Sequence, residues 1–185
     1  MKKFIISIDQ GTTSSRAILF DLKGQPVFSS QKEFTQYFPN SGWVEHNPEE
    51  IWSTTKKVLK DVIQKAKRIK GKILTIGITN QRETTVLWDK KTGKPVYNAI
   101  VWQDRRQEEY CEKLRKQNKE TLIFNRTGLL IDSYFSGMKI KWILDNVPKA
   151  KILMNKKQLL FGTIDSFLIW SCLLYTSPSP RDGLL

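Results

Sequence analysis

The stretch IDQGTTSSRAILFD, residues 8–21, decides the fold because it sets a polar turn between two apolar runs. The turn carries one carboxylate, Asp9, then Gly11, a run of four hydroxyl residues and Arg16. Successive backbone N–H groups in such a turn form a concave anion site, and glycine lets a ligand approach the main chain closely. These residues suit a nucleotide phosphate, with Asp9 positioning Mg²⁺ through water and Arg16 adding positive charge. The alternative is a solvated turn whose hydroxyl groups bond only its own backbone.

The segments around this turn have the composition of strands. Apolar and β-branched residues fill them, and polar turn residues such as LKGQ separate the second from the third. They predict an antiparallel meander at the start of the chain. The three predicted strands are FIISID, RAILFD and PVFSSQKEF, residues 4–9, 16–21 and 26–34.

A long amphipathic helix is predicted next. Asn47, Pro48 and Glu50 have the order of an N-cap, a first helical residue and an N3 carboxylate. Apolar residues then recur with a period of 3.6 as far as Ala66. The following run ILTIGI, residues 73–78, is almost continuously apolar, which is typical of a strand buried on both faces.

Further strands and helices follow in the second half of the chain. The pattern predicts strands TTVLWD and KPVYNAIVW around the turn KKTG, helices over 104–117 and Met138–Asn146, and a strand or turn LLFGTID before SFLIW. Strand hairpins followed by mixed helices and strands differ from a purely alternating βα chain. The fold class is therefore predicted as α/β, with a mixed sheet that begins with an antiparallel three-strand meander.

The charge and cysteine content limit the possible functions. The formal net charge is +13, but the lysines are scattered, which favours a solvated face over a nucleic-acid stripe. Two cysteines outside any CxxC pair fit a reducing compartment and indicate no metal site. No apolar run is long enough to span a bilayer. We expect a soluble cytoplasmic protein with no membrane insertion and no nucleic-acid partner.

The end of the chain differs in character from the rest. After Trp170 the sequence SCLLYTSPSPRDGLL loses the helical pattern and contains Ser-Pro repeats. We predict that residues 172–185 are a non-native or disordered tail, and that residues 1–171 form the folded part.

Six motifs in order resemble the FGGY family of carbohydrate kinases, most closely its members that act on glycerol. The motifs are DQGTTSSR, GWVEHNPEEIW, GITNQRETT, NAIVWQDRR, IDSYFSGMKIKWIL and LLFGTID. The resemblance covers residues 4 to about 170, roughly the first third of such a kinase. It implies a ribonuclease-H-like, actin-like ATPase fold with helices on both faces of the sheet. It also implies that the C-terminal nucleotide-binding domain is absent from this chain.

The resemblance assigns two groups of binding residues. The ATP or ADP phosphates fall on Gly11, Thr12, Thr13, Ser14 and Arg16, with Asp9 near the magnesium ion. The glycerol pocket falls on Arg82, Glu83 and Tyr134, with Trp102 as its apolar wall. Paired donors and acceptors are what recognition of an uncharged triol requires. The alternatives are a structural Arg82–Glu83 ion pair and core packing for the two aromatic residues.

The implied reaction is MgATP-dependent phosphorylation of glycerol to sn-glycerol 3-phosphate, by a whole protein that forms a homodimer or homotetramer. No catalytic residue is assigned, because the catalytic base of the family lies downstream, so this chain alone is expected to be inactive. Alternatives are another polyol or sugar kinase of the family and, more remotely, a ribonuclease-H-like nuclease or nucleic-acid-binding module. His46 is assigned no chemistry. The cluster Asp104 to Arg106 is predicted to charge the start of a helix, with a role near the cleft as the alternative.

Overall fold

The computed structural model describes residues 2–173. Apart from Cys172 and Leu173, the tail predicted over residues 172–185 lies outside the described residues. No helix in the described part of the chain is both long enough and apolar enough to cross a membrane. The elements in chain order are β1 (Lys3–Gln10), β2 (Ser14–Asp21), β3 (Pro26–Glu33), β4 (Glu45–His46), α1 (Pro48–Arg68), β5 (Lys72–Asn80), β6 (Thr85–Asp89), β7 (Ala99–Ile100), α2 (Glu108–Lys116), α3 (Glu120–Thr127), α4 (Ser136–Asn146), α5 (Pro148–Asn155), β8 (Leu159–Thr163) and α6 (Ile164–Leu173).

The chain divides into two compact units. Within the described residues, unit 1 comprises residues 2–36, 47–81 and 164–173, and unit 2 comprises Tyr37–His46 and Arg82–Thr163. Unit 1 contains a sheet of order β3-β2-β1-β5, and unit 2 contains a sheet of order β4-β7-β6-β8. Each unit therefore has its own sheet.

The sheet of unit 1 confirms the predicted meander. β1 pairs antiparallel with β2, and β2 pairs antiparallel with β3. β5 then pairs parallel with β1, so the sheet is mixed, as predicted. Phe4, Ile6 and Ile8 alternate on the buried face of β1, because successive side chains of a strand point to opposite faces.

Helix α1 covers that buried face. Its first turn confirms the predicted N-cap, because the Asn47 side chain accepts a hydrogen bond from the backbone N–H of Glu49 at 2.9 Å. Glu50 instead accepts from the backbone and hydroxyl of Thr35, both at 3.1 Å. Val58 and Val62 are fully buried in the core formed with β1 and β2. The helix and sheet thus bury one continuous apolar face.

The prediction that residues 73–78 are buried on both faces is wrong. Leu74 and Ile76 in β5 are 48% and 43% exposed. Ile73 and Ile78 do pack against the core of unit 1. β5 is the edge strand of this sheet, and within residues 2–173 helix α6 approaches it without burying these two side chains. An apolar run indicates that a strand can be buried, whereas a covering element decides whether it is.

The sheet of unit 2 corrects the prediction for KPVYNAIVW. Only Ala99–Ile100 forms a strand, which pairs with β4 and, at one position, with β6. β6 pairs mainly with β8 over five residue pairs. Tyr97 and Asn98 direct their side chains to the carboxylate of Glu45, at 2.7 and 2.9 Å. These polar contacts replace the ladder that an extended hairpin would have formed.

The helices of unit 2 begin at positions that local hydrogen bonds explain. The helix predicted over 104–117 begins only at Glu108, because the Asp104 side chain accepts from the backbone N–H of Arg106 at 2.9 Å. Such a turn competes with helical hydrogen bonding. The predicted helix ending at Asn146 is confirmed, although it begins at Ser136. Pro148 then opens the unpredicted helix α5, at the first helical position that suits proline.

His46 in β4 is fully buried, and burial lowers its pKa to about 4 from 6.5. Below pH 6.5 the unfolded chain binds a proton that the folded chain does not, so stability falls as the pH decreases toward 4. Between pH 7 and pH 5 we expect this residue to remove about 2 kcal/mol from the free energy of unfolding. Urea titrations of the chain and of His46→Gln at both pH values measure it. An equal pH dependence in the two proteins would contradict the expectation.

Candidate functional site

The turn after β1 is short and partly open to solvent. The Gly11 backbone N–H donates to the Ser14 carbonyl at 2.9 Å, which closes the turn. Thr13 at its tip is exposed, whereas Ser14 is buried and its hydroxyl accepts from Gln31 at 2.9 Å. The hydroxyl of Ser15 is 3.0 Å from that of Thr54 in α1. The Ser15 hydroxyl is therefore structural, the Ser14 hydroxyl at the start of β2 already accepts from Gln31, and only Thr12 and Thr13 lie in the turn itself.

Gly11 is not required by the backbone geometry of this turn. It is not among the residues with positive φ in the described chain. A Cβ at this position would meet only the Ser14 carbonyl oxygen, at 3.4 Å, which is ordinary van der Waals contact. The glycine therefore leaves space above the main chain without being needed for folding, as a site of close ligand approach requires.

Asp9 and Arg16 lie opposite each other at the ends of β1 and β2. Their side chains form an ion pair of 2.6 Å and are 37% and 44% exposed. An exposed pair of this kind contributes at most about 1 kcal/mol, so a competing ligand separates it at low cost. No group of three metal-ligating side chains exists within residues 2–173. A lone carboxylate fits Mg²⁺ held mainly by phosphates and water.

Two buried glutamines fix the turn and were missed by the sequence analysis. Gln10 donates through Nε2 to the Gly11 carbonyl at 2.8 Å, and Gln81 donates through Nε2 to Oε1 of Gln10 at 3.2 Å. Gln10 is the last residue of β1, and Gln81 directly follows β5, the parallel neighbour of β1. Open α/β sheets bind ligands at the carboxyl ends of adjacent strands. This rule could have identified the two glutamines from the sequence.

In unit 2, Glu83 is held at the N-terminus of α4. Its Oε2 accepts from the backbone N–H of Ser136 at 2.9 Å and from the Ser136 hydroxyl at 2.8 Å. A carboxylate at this end of a helix is stabilised by the helix dipole. Glu83 has φ of 62°, an uncommon conformation for this residue type that often occurs at functional sites. Because both contacts go to Oε2, Oε1 keeps its acceptor sites.

Two half-buried aromatic rings belong to the same unit. The centroids of Trp102 and Tyr134 are 6.0 Å apart, at an interplanar angle of 69°. Tyr134 precedes Ser136 by two residues, so the segment that holds Glu83 also carries this ring. Arg82 is exposed and forms no ion pair within the described residues, so the structural Arg82–Glu83 pair is not formed. Three of the four predicted polyol-binding residues, Glu83, Trp102 and Tyr134, are therefore connected through the segment that precedes α4.

The prediction that Asp104 and Arg106 charge the start of a helix is wrong. The Arg106 side chain is 1% exposed and pairs with Glu45 and Asp104, each at 2.8 Å. Its guanidinium carbon lies 3.9 Å from the Trp43 ring centroid and 4.5 Å from that of Trp142. These residues are far apart in sequence, so no local pattern reveals the cluster. Only Arg105 remains near the helix start, 3.5 Å from Glu108.

Comparison with known proteins identifies the class. The chain matches the N-terminal domain of the FGGY family of carbohydrate kinases over residues 4–174. It is 58% identical over 171 residues to glycerol kinase of Alkaliphilus metalliredigens, covering 92% of this chain and 34% of that protein. The crystal structure of Plasmodium falciparum glycerol kinase with ADP is similar, with TM-score 0.86 and 36% identity over 91% of this chain and 34% of that one.

The fold extends to other sugar kinases. A xylulose kinase of Lactobacillus acidophilus superposes with TM-score 0.79 at 23% identity, over 91% of this chain and 33% of that one. These neighbours confirm the predicted actin-like ATPase fold class. The chain belongs to the FGGY family of carbohydrate kinases. It spans about a third of the length of the curated relatives that it matches.

Proposed function

We propose that this chain provides the polyol-binding and phosphate-binding residues of a kinase that transfers the γ-phosphoryl group of ATP to glycerol. The observation that carries the proposal is the carboxylate of Glu83. It is held through one oxygen at the N-terminus of α4, while its other oxygen has no protein partner within residues 2–173. The similarity to glycerol kinases over nine-tenths of the chain supports this assignment.

The chemistry of glycerol suits the residues of unit 2. Glycerol carries no charge, so its recognition depends on hydrogen bonds in a partly dry site. Glu83 accepts from hydroxyl groups, the exposed Arg82 donates to their oxygens, and the Tyr134 hydroxyl adds a further partner. The indole of Trp102 covers the carbon chain, as aromatic rings do in polyol sites. Each predicted pocket residue thus has a distinct part in binding.

The turn of unit 1 suits the phosphate groups of ATP. The residues proposed to contact them are Gly11, Thr12, Thr13, Ser14 and Arg16. Backbone N–H groups and hydroxyls donate to phosphate oxygens. Arg16 leaves its ion pair with Asp9 and binds the phosphates, which carry more negative charge. Mg²⁺ neutralises charge on the phosphates during transfer, and Asp9 is proposed to hold it through water.

The catalytic base and the adenosine site are proposed to lie in the part of the protein that this chain lacks. We therefore expect no measurable kinase activity from the purified chain. A chimera in which residues 1–171 replace the matching segment of the Alkaliphilus metalliredigens enzyme should phosphorylate glycerol. A coupled assay for ADP release measures both. A folded chimera without activity, beside an active parent enzyme, would contradict the proposal, and so would activity of the chain alone that Arg82→Ala abolishes.

The Gly11→Ala substitution tests whether the glycine is needed for the close approach of ATP and not for folding. The added Cβ meets only the Ser14 carbonyl at ordinary contact distance, so stability should change by less than about 1 kcal/mol. The methyl group occupies the space above the main chain, so the KM for ATP in the chimera should rise about tenfold or more. Steady-state kinetics and thermal unfolding test both parts. Gly137→Ala is the control for the effect on ATP, because a Cβ there has no neighbour within 4 Å and the position lies outside the turn.

A second candidate within the family is a kinase for another polyol or sugar. The structural similarity to xylulose kinase supports the shared fold, but a fold does not identify the phosphate acceptor. The residues of the pocket determine which acceptor binds. A panel of glycerol, xylulose and gluconate, tested with the chimera, distinguishes the candidates by their kcat/KM values.

We also propose a cytoplasmic protein, in keeping with a buried unpaired thiol at Cys111. Assembly as a homodimer or homotetramer remains a prediction.

A further inference from the structure

Helix α4 contains a fully buried lysine. Lys139 is 2% exposed, and its Nζ donates to the carbonyl oxygen of Ser133 at 2.9 Å and also to the carbonyl oxygen of Tyr134. Nζ lies 6.0 Å from the centroid of the Tyr134 ring, at the edge of cation–π range. Burying an ammonium group is costly unless its N–H groups are hydrogen-bonded, and these two carbonyl groups supply that compensation.

The segment that Lys139 holds is the one that carries the proposed polyol contacts. Ser133 and Tyr134 supply the two carbonyl groups, and Ser136 supplies both donors to Glu83. Segment 133–136 thus contacts the buried Lys139 and the carboxylate of Glu83, and it contains the aromatic ring of Tyr134. A shift of this segment moves Tyr134 and Glu83 together.

We propose that Lys139 is a positioning residue for the polyol site. Its ammonium group fixes the peptide groups of Ser133 and Tyr134, which orients the Tyr134 ring and the Ser136 donors that hold Glu83. The inference rests on the proposed function, because it assigns a role to the support of that same site. Lys139 itself contacts backbone carbonyl groups, so it acts through its neighbours.

The chemistry of lysine suits this position. An ammonium group offers three donors on a flexible stem, so one side chain can bond two successive carbonyl groups. Burial lowers the pKa of Lys139 to about 8, against the attraction of Glu83, Asp104 and Asp132. The group is therefore mainly protonated at neutral pH. Its positive charge also balances the acidic side chains of the region.

Two matched substitutions on one helix test the proposal in the chimera. Lys139→Met keeps the length of the side chain and removes its donors, so the KM for glycerol should rise about tenfold or more. The KM for ATP should stay within about twofold, because the phosphate turn is not touched. Lys141→Met is the control, because Lys141 is 40% exposed and contacts only Asp145, one helical turn away, and the ring of Tyr110, neither of which belongs to the proposed site. It should leave both KM values unchanged.

A third variant covers the case in which Lys139→Met does not fold. Lys139→Gln keeps two uncharged donors, so it should fold and show a smaller rise in the glycerol KM than Lys139→Met. Equal rises in both KM values, or no rise in either variant, would overturn the inference. Glu83→Gln in the same assay distinguishes a failure of the proposed function from a failure of the positioning role. If Glu83→Gln leaves glycerol binding unchanged, the proposed function fails; if only the Lys139 variants are silent, the positioning role alone fails.

Discussion

Arg106→Ala should lower the free energy of unfolding of this chain by about 3–5 kcal/mol, the largest change in stability that we expect. The substitution removes the guanidinium that pairs with both Glu45 and Asp104, whose side chains are 4% and 2% exposed. Their carboxylates would then be buried without a compensating charge. The Trp43 and Trp142 rings, which contact each other edge to face, would also lose the guanidinium that packs against both of them. Urea unfolding followed by tryptophan fluorescence measures the loss.

The neighbouring arginine is the matched control for this experiment. Arg105 is 62% exposed, and its two carboxylate partners lie 3.5 and 3.8 Å away. Arg105→Ala should therefore change stability by less than about 1 kcal/mol. Arg106→Lys should recover only part of the lost stability, because an ammonium group lacks the planar fork that bonds both carboxylates and stacks against the rings. Equal stability of the Ala variants at both positions would contradict the buried network.

Glu83→Gln should reduce kcat/KM for glycerol in the chimera by roughly 100-fold, as expected when charged hydrogen bonds to substrate are lost. The amide has the same shape and can still accept from Ser136, so the N-terminus of α4 stays capped. Its uncharged oxygen accepts more weakly from the glycerol hydroxyls. The loss should appear mainly in the KM for glycerol, with the KM for ATP unchanged.

Glu109→Gln, at an exposed position of α2 in the same unit, serves as the control and should have no effect. A substrate with one hydroxyl fewer, such as propane-1,2-diol, adds a second comparison. If Glu83 bonds a hydroxyl that this diol lacks, Glu83→Gln should reduce turnover of the diol much less than turnover of glycerol. An unchanged kcat/KM for glycerol in Glu83→Gln would contradict the assignment of the polyol site.

Much of unit 1 could be predicted from the sequence because its signals are local. Alternating apolar residues in β1, the N-cap at Asn47 and the polar turn at Gly11 each depend on residues a few positions apart. The resemblance to carbohydrate kinases also used contiguous motifs, and the family match confirms it. The sequence further identified Glu83, Trp102 and Tyr134 as residues of interest.

The sequence by itself determined the strands of the meander, the long helix and the polar turns, since short-range sterics and periodicity specify them. Only the tertiary structure decided the exposure of β5, the burial of Arg106 against two tryptophan rings and the contact of Lys139 with the segment before α4. Charged residues are usually solvated, so a sequence assigns them to the surface by default. Their burial becomes favourable only when distant parts of the chain bring opposite charges and acceptors to the same place.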